Sequence, residues 1–173
     1  MQNALCAAAA ALACGISMDA IAKGLATFGG AVRRFEKKGV QDGVDVFDDY
    51  AHHPTEIEAT LQTAKTLGYK RVVAVFQSHT YSRTAGLLCE FAAALSLADV
   101  VLIAPIYAAR EVNTYGVTSH DIAAKMTNAK AFDTMEETLA ALRETAKEGD
   151  LVITMGAGNV YTLAEAFLSG QKC

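Results

Sequence analysis

Residues 44–67 read VDVFDDYAHHPTEIEATLQTAKTL, and the order of residue types in that stretch decides the fold class. Val44 to Phe47 is a short stretch with β-branched valines at alternate positions, the signature of a strand. Pro54 then presets the backbone for a first helical turn. Glu56 places a carboxylate at the positive end of the helix dipole, and Glu56 to Leu67 continues as a helix up to Gly68. A strand feeding a helix through a polar loop is half of a β-α-β unit, and VVAVF at residues 72–76 supplies the next strand.

Upstream of this unit, Asp42-Gly43 is a hairpin turn signal, so a short strand precedes Val44 and pairs with it antiparallel. Downstream, strand candidates at Val100 to Ala104, Ala129 to Phe132 and Leu151 to Met155 alternate with helical stretches at Thr84 to Leu97, Ser119 to Met126 and Met135 to Lys147. A last helix runs from Val160 to Leu168. Near-continuous apolar strands belong to a sheet covered on both faces. The predicted class is therefore α/β: a Rossmann-like, mostly parallel sheet of about six strands, with one antiparallel edge strand and helices on both faces. Ahead of the hairpin, a helix over Asn3 to Cys14 stops at Gly15, and another over Met18 to Phe28 is capped by Ser17 and stops at Gly29-Gly30.

Composition narrows the function. The 173 residues are 52% hydrophobic, enough for a core without disulfides or metal, and no proline-rich linker divides them, which predicts a single domain over 1–173. A net charge of −4 with both signs interspersed offers no basic stripe for nucleic acid and no polybasic segment for a membrane. The apolar run Ala4 to Ala13 has no preceding Lys or Arg and is too short to cross a bilayer, so it reads as a buried helix. Cys6, Cys14, Cys89 and Cys173 form no C-x-x-C pair and read as reduced packing residues of a cytoplasmic protein, Cys89 as an inert thiol inside a helix.

In a parallel sheet every strand-to-helix loop leaves at the C-terminal strand ends, where ligands bind. Those loops carry Asp48-Asp49-Tyr50-Ala51-His52-His53, then Gln77-Ser78-His79-Thr80-Tyr81-Ser82-Arg83, then Pro105-Ile106-Tyr107 up to Arg110-Glu111, then Gly156-Ala157-Gly158-Asn159. Pro54, Thr55 and Glu56 are explained by helix-start chemistry. Asp49, His52 and His79 are not, and stand as site candidates. Gly156-x-Gly158 serves either a close backbone approach to a ligand or plain turn geometry. No G-x-x-x-x-G-K-[ST] phosphate loop occurs. A zinc site built on Asp49, His52, His53 and His79 needs three or four converging ligands and lacks H-E-x-x-H, so no metal is expected on this chain.

The strings DDYAHHPTEI at 48–57, FQSHTYSRT at 76–84 and GDLVITMGAGN at 149–159 resemble the C-terminal domain of the muramyl ligases, over the whole chain and in matching order. Within that family they are most similar to the branch that joins L-alanine to UDP-N-acetylmuramate. The resemblance implies the third domain of a three-domain, ATP- and magnesium-dependent amide-bond-forming ligase of peptidoglycan synthesis, inactive alone. The upstream UDP-sugar domain and ATPase domain would supply the phosphate loop and hold most of the magnesium. The muramate carboxylate would become an acyl phosphate that L-alanine attacks. By the same resemblance Asn3 lies near adenine, Arg34 reaches the ATP phosphates and Asp49 holds the ribose. Tyr50 and His52 line the nucleophile, His52 and Arg34 serving catalysis, while His79 and Arg83 clamp the amino-acid carboxylate. Some relatives carry an arginine where Thr80 stands and an aspartate where Asn159 stands, and Glu111 matches a glutamate without an assigned role, a surface charge on its own chemistry. Two other readings stay open: a ligase of the family that adds a preformed peptide, and a stand-alone α/β nucleotide-binding regulatory module. A metal-dependent hydrolase using His52, His53 and His79 is a third.

Overall fold

The structure, a computed structural model, describes residues 2–170. The chain forms two compact units, 1–31 and 32–173, where the sequence shows no linker between them. The first unit holds α1 (Gln2–Ala13) and α2 (Met18–Thr27). Gly15 ends the first helix with a φ of +80°, and the Ser17 hydroxyl accepts from the Ala20 N–H to start the second. The expectation that the alanine-rich helix is buried is not met. Leu5 is 70% and Leu12 47% exposed, and no residue of α1 whose burial is described is buried.

The second unit contains β1 (Glu36–Gln41), β2 (Val44–Asp49), α3 (Pro54–Lys65), β3 (Arg71–Phe76), α4 (Tyr81–Gly86), α5 (Leu88–Leu95), β4 (Val100–Ile103), α6 (Ser119–Ala123), β5 (Ala129–Ala131), α7 (Met135–Thr145), β6 (Asp150–Met155) and α8 (Tyr161–Ser169). The six strands lie in the order β1-β2-β6-β3-β4-β5, all parallel except the β1–β2 hairpin, as the alternation predicted. Asp42 and Gly43, at φ +51° and +76°, make the left-handed hairpin turn.

Period-two alternation splits the strands between two cores. Val72, Ala74, Phe76, Leu151, Ile153 and Met155 face α3 and α5, whereas Val73, Val75 and Val152 face α7 and α8. The predicted helix over Thr84 to Leu97 is two helices. The chain breaks at Leu87 (φ −128°, ψ 24°), directly after Gly86, the weakest helix former in the stretch. Cys89 is exposed rather than buried: α5 buries Phe91, Ala92, Ala94 and Leu95, and Cys89 falls outside that face. Cys6 and Cys14 are exposed as well, so none of these three thiols packs a core, and Cys173 lies outside the described residues.

Candidate functional site

The strand register aligns the loops that matter. Asp49 pairs with Met155, Met155 with Phe76 and Phe76 with Ile103, so four neighbouring strands end level and release their loops side by side. The loops stay tied beyond the strands. Gly156 N–H donates to Asp49 O at 3.2 Å, Gln77 N–H to Met155 O at 3.0 Å, and Tyr107 N–H to Ser78 O at 2.9 Å.

A row of rings crosses this edge. Tyr50 meets His52 edge-on at 5.4 Å, His52 meets His79 at 6.4 Å, and His79 stacks on Tyr107 at 5.6 Å. Arg34 lies over the Tyr50 ring at 5.6 Å, is exposed, and makes no hydrogen bond or ion pair among the described residues. His52 Nδ1 sits 3.0 Å from the Tyr50 carbonyl and 3.3 Å from a Glu56 carboxylate oxygen. A proton on Nδ1 satisfies the carbonyl and leaves Nε2 as the lone-pair nitrogen.

The two adjacent carboxylates do different things. Asp48 is fully buried: one oxygen accepts from Arg33 Nε at 2.8 Å and the other from the Thr154 hydroxyl at 2.6 Å. Asp49, 7% exposed, accepts the Phe35 and Ala51 N–H groups, each at 2.8 Å. Its burial pushes its carboxyl up from the ordinary range, against those two amides and Arg34.

Arg33 is the residue that sequence reasoning passed over. Besides Asp48 it donates to Gly156 O at 2.6 Å and Gly158 O at 3.3 Å, and its guanidinium lies over both Tyr50, at 5.1 Å, and Tyr161, at 4.8 Å. It joins the start of β1, the end of β2 and the loop after β6. The 156–158 turn is thus engaged by protein. A side chain at Gly158 would place its Cβ 2.7 Å from Tyr107 Cγ, and one at Gly156 would come 2.7 Å from Gln77 O. Close packing explains both glycines. Asn159 Oδ1 accepts from Gln77 Nε2 at 3.0 Å, a bond an aspartate oxygen would also accept.

Helix-start chemistry accounts for Pro54, Thr55 and Glu56, as expected: His53 caps α3 and Glu56 closes a reciprocal capping box. His53 Nδ1 lies 2.6 Å from the Thr55 hydroxyl, so this histidine is spent on the cap. Among the described residues no three His, Cys, Asp or Glu side chains group as metal ligands. Asn3 is exposed on α1 in the first unit. His79 Nδ1 and Arg83 Nη1 are buried without a hydrogen-bond partner among the described residues.

A model of the Mur ligase, glutamate ligase domain matches residues 33–158. The chain belongs to the Mur ligase family. It is 51% identical over 172 residues to a UDP-N-acetylmuramate–L-alanine ligase of Agathobacter rectalis, an alignment covering 97% of this chain and 38% of that protein. A UDP-N-acetylmuramate-alanine ligase structure from Thermotoga maritima superposes with a TM-score of 0.80 at 26% identity, over 97% of this chain and 36% of that one. A murein peptide ligase from Psychrobacter arcticus gives 0.69 at 28% identity, over 96% and 35%. The chain thus spans under two fifths of the curated relative's length.

The Mur ligase assignment makes the protonation of His79 worth measuring. Burial is the largest influence and pushes its pKa down; Arg83 and His52 push the same way, and Glu111 opposes them. The folded chain therefore holds His79 neutral in a window below the ordinary histidine pKa of about 6.5 in which the unfolded chain binds a proton. Stability from this group is present above that value and is lost as pH falls toward the folded pKa. A ¹⁵N-NMR titration should place the His79 midpoint below the ordinary histidine value of about 6.5. Arg83→Ala should move it upward; a midpoint unchanged in that variant would remove the electrostatic contact between the two.

Proposed function

We propose that this chain is the amino-acid- and ATP-contacting third domain of a cytoplasmic ligase that joins L-alanine to UDP-N-acetylmuramate in peptidoglycan precursor synthesis. The observation that carries this reading is the pair of buried, partnerless nitrogens, His79 Nδ1 and Arg83 Nη1. A buried donor without a partner costs stability and is retained where a ligand satisfies it. Arginine and histidine together match a carboxylate, and holding one end of a small amino acid fixes where its amine can attack. The 51% identity to an L-alanine ligase favours alanine as that amino acid.

Arg34 fits a polyphosphate: it is exposed, lies over the Tyr50 face, and makes no hydrogen bond or ion pair among the described residues. ATP, when bound, supplies the phosphoryl group that activates the sugar carboxylate, and magnesium would be held mainly by the ATPase domain preceding this one. Asp49 fits the ribose less directly, because each of its oxygens already accepts a backbone N–H and only a second lone pair is left for a hydroxyl. Its main work here is to tie Phe35, and so the arginine pair before it, to the end of β2. In this reading His52, with Nε2 as acceptor and Tyr50 beside it, receives a proton from the attacking amine. The adenine contact proposed for Asn3 rests on the family resemblance alone. Both units belong to this domain in our reading, since the alignment with the relative covers 97% of the chain.

The test is phosphate release by the full-length protein with ATP, magnesium, UDP-N-acetylmuramate and L-alanine, omitting one component at a time. Release that needs both the sugar acid and alanine supports the reading. Release that needs a peptide in place of alanine would move the chain to the murein peptide branch, which the 28% identity to that structure keeps in view. No release under any omission would leave a nucleotide-binding regulatory module.

A further inference from the structure

We propose that Glu111 is a positioning residue of the amino-acid half-site: by holding Ser82, its carboxylate keeps Thr80 in a left-handed conformation and so sets where His79 and Arg83 stand. The inference rests on the ligase reading above and deepens it, because no role follows for Glu111 from the sequence beyond a surface charge.

The geometry is specific. Helix α4 begins at Tyr81, and its N-cap residue, Thr80, gives no side-chain cap. First-turn N–H groups need acceptors from elsewhere. Glu111, on the loop after β4, provides one: one carboxylate oxygen accepts the Ser82 N–H at 2.8 Å and the other accepts the Ser82 hydroxyl at 2.5 Å. The residue between His79 and this pinned turn, Thr80, has φ +69° and ψ 146°, a conformation that suits glycine and strains a β-branched residue. Such strain persists only where the surroundings over-determine it.

Three ties from the 107–111 loop do so. Tyr107 O accepts the Thr80 N–H at 2.9 Å, the Tyr107 ring stacks on His79, and Glu111 grips Ser82. On the far side, Thr80 O accepts the Thr84 hydroxyl at 2.7 Å. The first two ties are a neutral backbone bond and a ring stack; the third is charged and bidentate. The Ser82 bonds hold the Glu111 carboxyl below its ordinary range, so the grip is ionised at neutral pH.

The test uses the full-length ligase and the 173-residue chain in parallel. In the ligase, Glu111→Gln keeps the size but loses the charge and one acceptor, and should raise KM for L-alanine about tenfold while leaving KM for ATP and for UDP-N-acetylmuramate within about twofold. Adding Thr80→Gly should recover most of that loss, because glycine adopts the left-handed conformation without the grip. An alanine KM that stays put in Glu111→Gln, or a double variant as impaired as the single one, would overturn the proposal. In the 173-residue chain, Glu111→Gln and Ser82→Ala should each shift the His79 and Tyr107 ring resonances, and Glu111→Gln should lower the His79 titration midpoint. Unmoved resonances in both variants would overturn the proposal without reference to catalysis. A wild-type ligase indifferent to alanine would instead sink the functional reading and leave the NMR result to judge the grip.

Discussion

Replacing Arg83 by alanine is expected to raise the L-alanine requirement of the full-length ligase by about a hundredfold, with the ATP requirement unchanged within about twofold. A hydrogen bond to a charged group contributes about 1.5–3 kcal/mol, and each 1.4 kcal/mol is a factor of ten, which sets the scale. The effect should fall on alanine because Arg83, in α4, directly follows the His79 loop after β3, whereas the candidate phosphate contact, Arg34, lies before β1 on the far side of Tyr50 and His52. Arg83→Lys should recover only part of the loss, since an ammonium supplies charge without the planar fork that matches a carboxylate. Steady-state kinetics with alanine and ATP varied separately would show it. Equal losses for both substrates would mean that Arg83 holds the loop rather than the ligand.

The second large effect separates two adjacent arginines. Arg33→Ala should destabilise the 173-residue chain by about 3 kcal/mol, because it strands the fully buried Asp48 carboxylate. At about 2–4 °C per kcal/mol for a domain of this size, Tm should fall by about 6–12 °C. The same change frees the carbonyls of Gly156 and Gly158 and removes a cation from between Tyr50 and Tyr161. Arg34→Ala should shift Tm by no more than about 2 °C, since the exposed guanidinium makes no hydrogen bond or ion pair among the described residues. Its cost should appear in phosphate release instead. Thermal unfolding followed by circular dichroism tests both variants, and a similar Tm for the two would contradict the division of labour.

What could be read from sequence was whatever is local. Asp42-Gly43 marked its hairpin because two left-handed residues in a row have few solutions, and the valine runs marked strands because alternate residues had to fill cores on both faces. The loops that carry Tyr50, His52, His79 and Arg83 were placed on one edge by the rule that parallel strands release their loops together. Contacts spanning long stretches of chain left no such mark. Arg33 meets Asp48 15 residues on and Gly156 123 residues on, and nothing in Arg-Arg-Phe-Glu distinguishes the structural arginine from its uncommitted neighbour. Glu111 reads as surface charge until Ser82, 29 residues earlier, is seen in its grip. The break at Leu87 and the exposure of Cys89 were missed for a different reason: both depend on which helix face finds the sheet, and an alanine- and leucine-rich stretch fits more than one.

The strand order also sets a schedule for biosynthesis. The last strand in the chain, β6, lies between β2 and β3, which have no other pairing with each other. A ribosome therefore makes β1 through β5 before the strand that unites them emerges, and until then β2 and β3 each present an unpaired edge. At typical elongation rates of about 5–20 residues per second, the roughly hundred residues from the end of β2 to the end of β6 keep those edges open for several seconds. That interval is when a nascent chain of this topology most needs a chaperone, and a slow codon placed just before Asp150 would lengthen it.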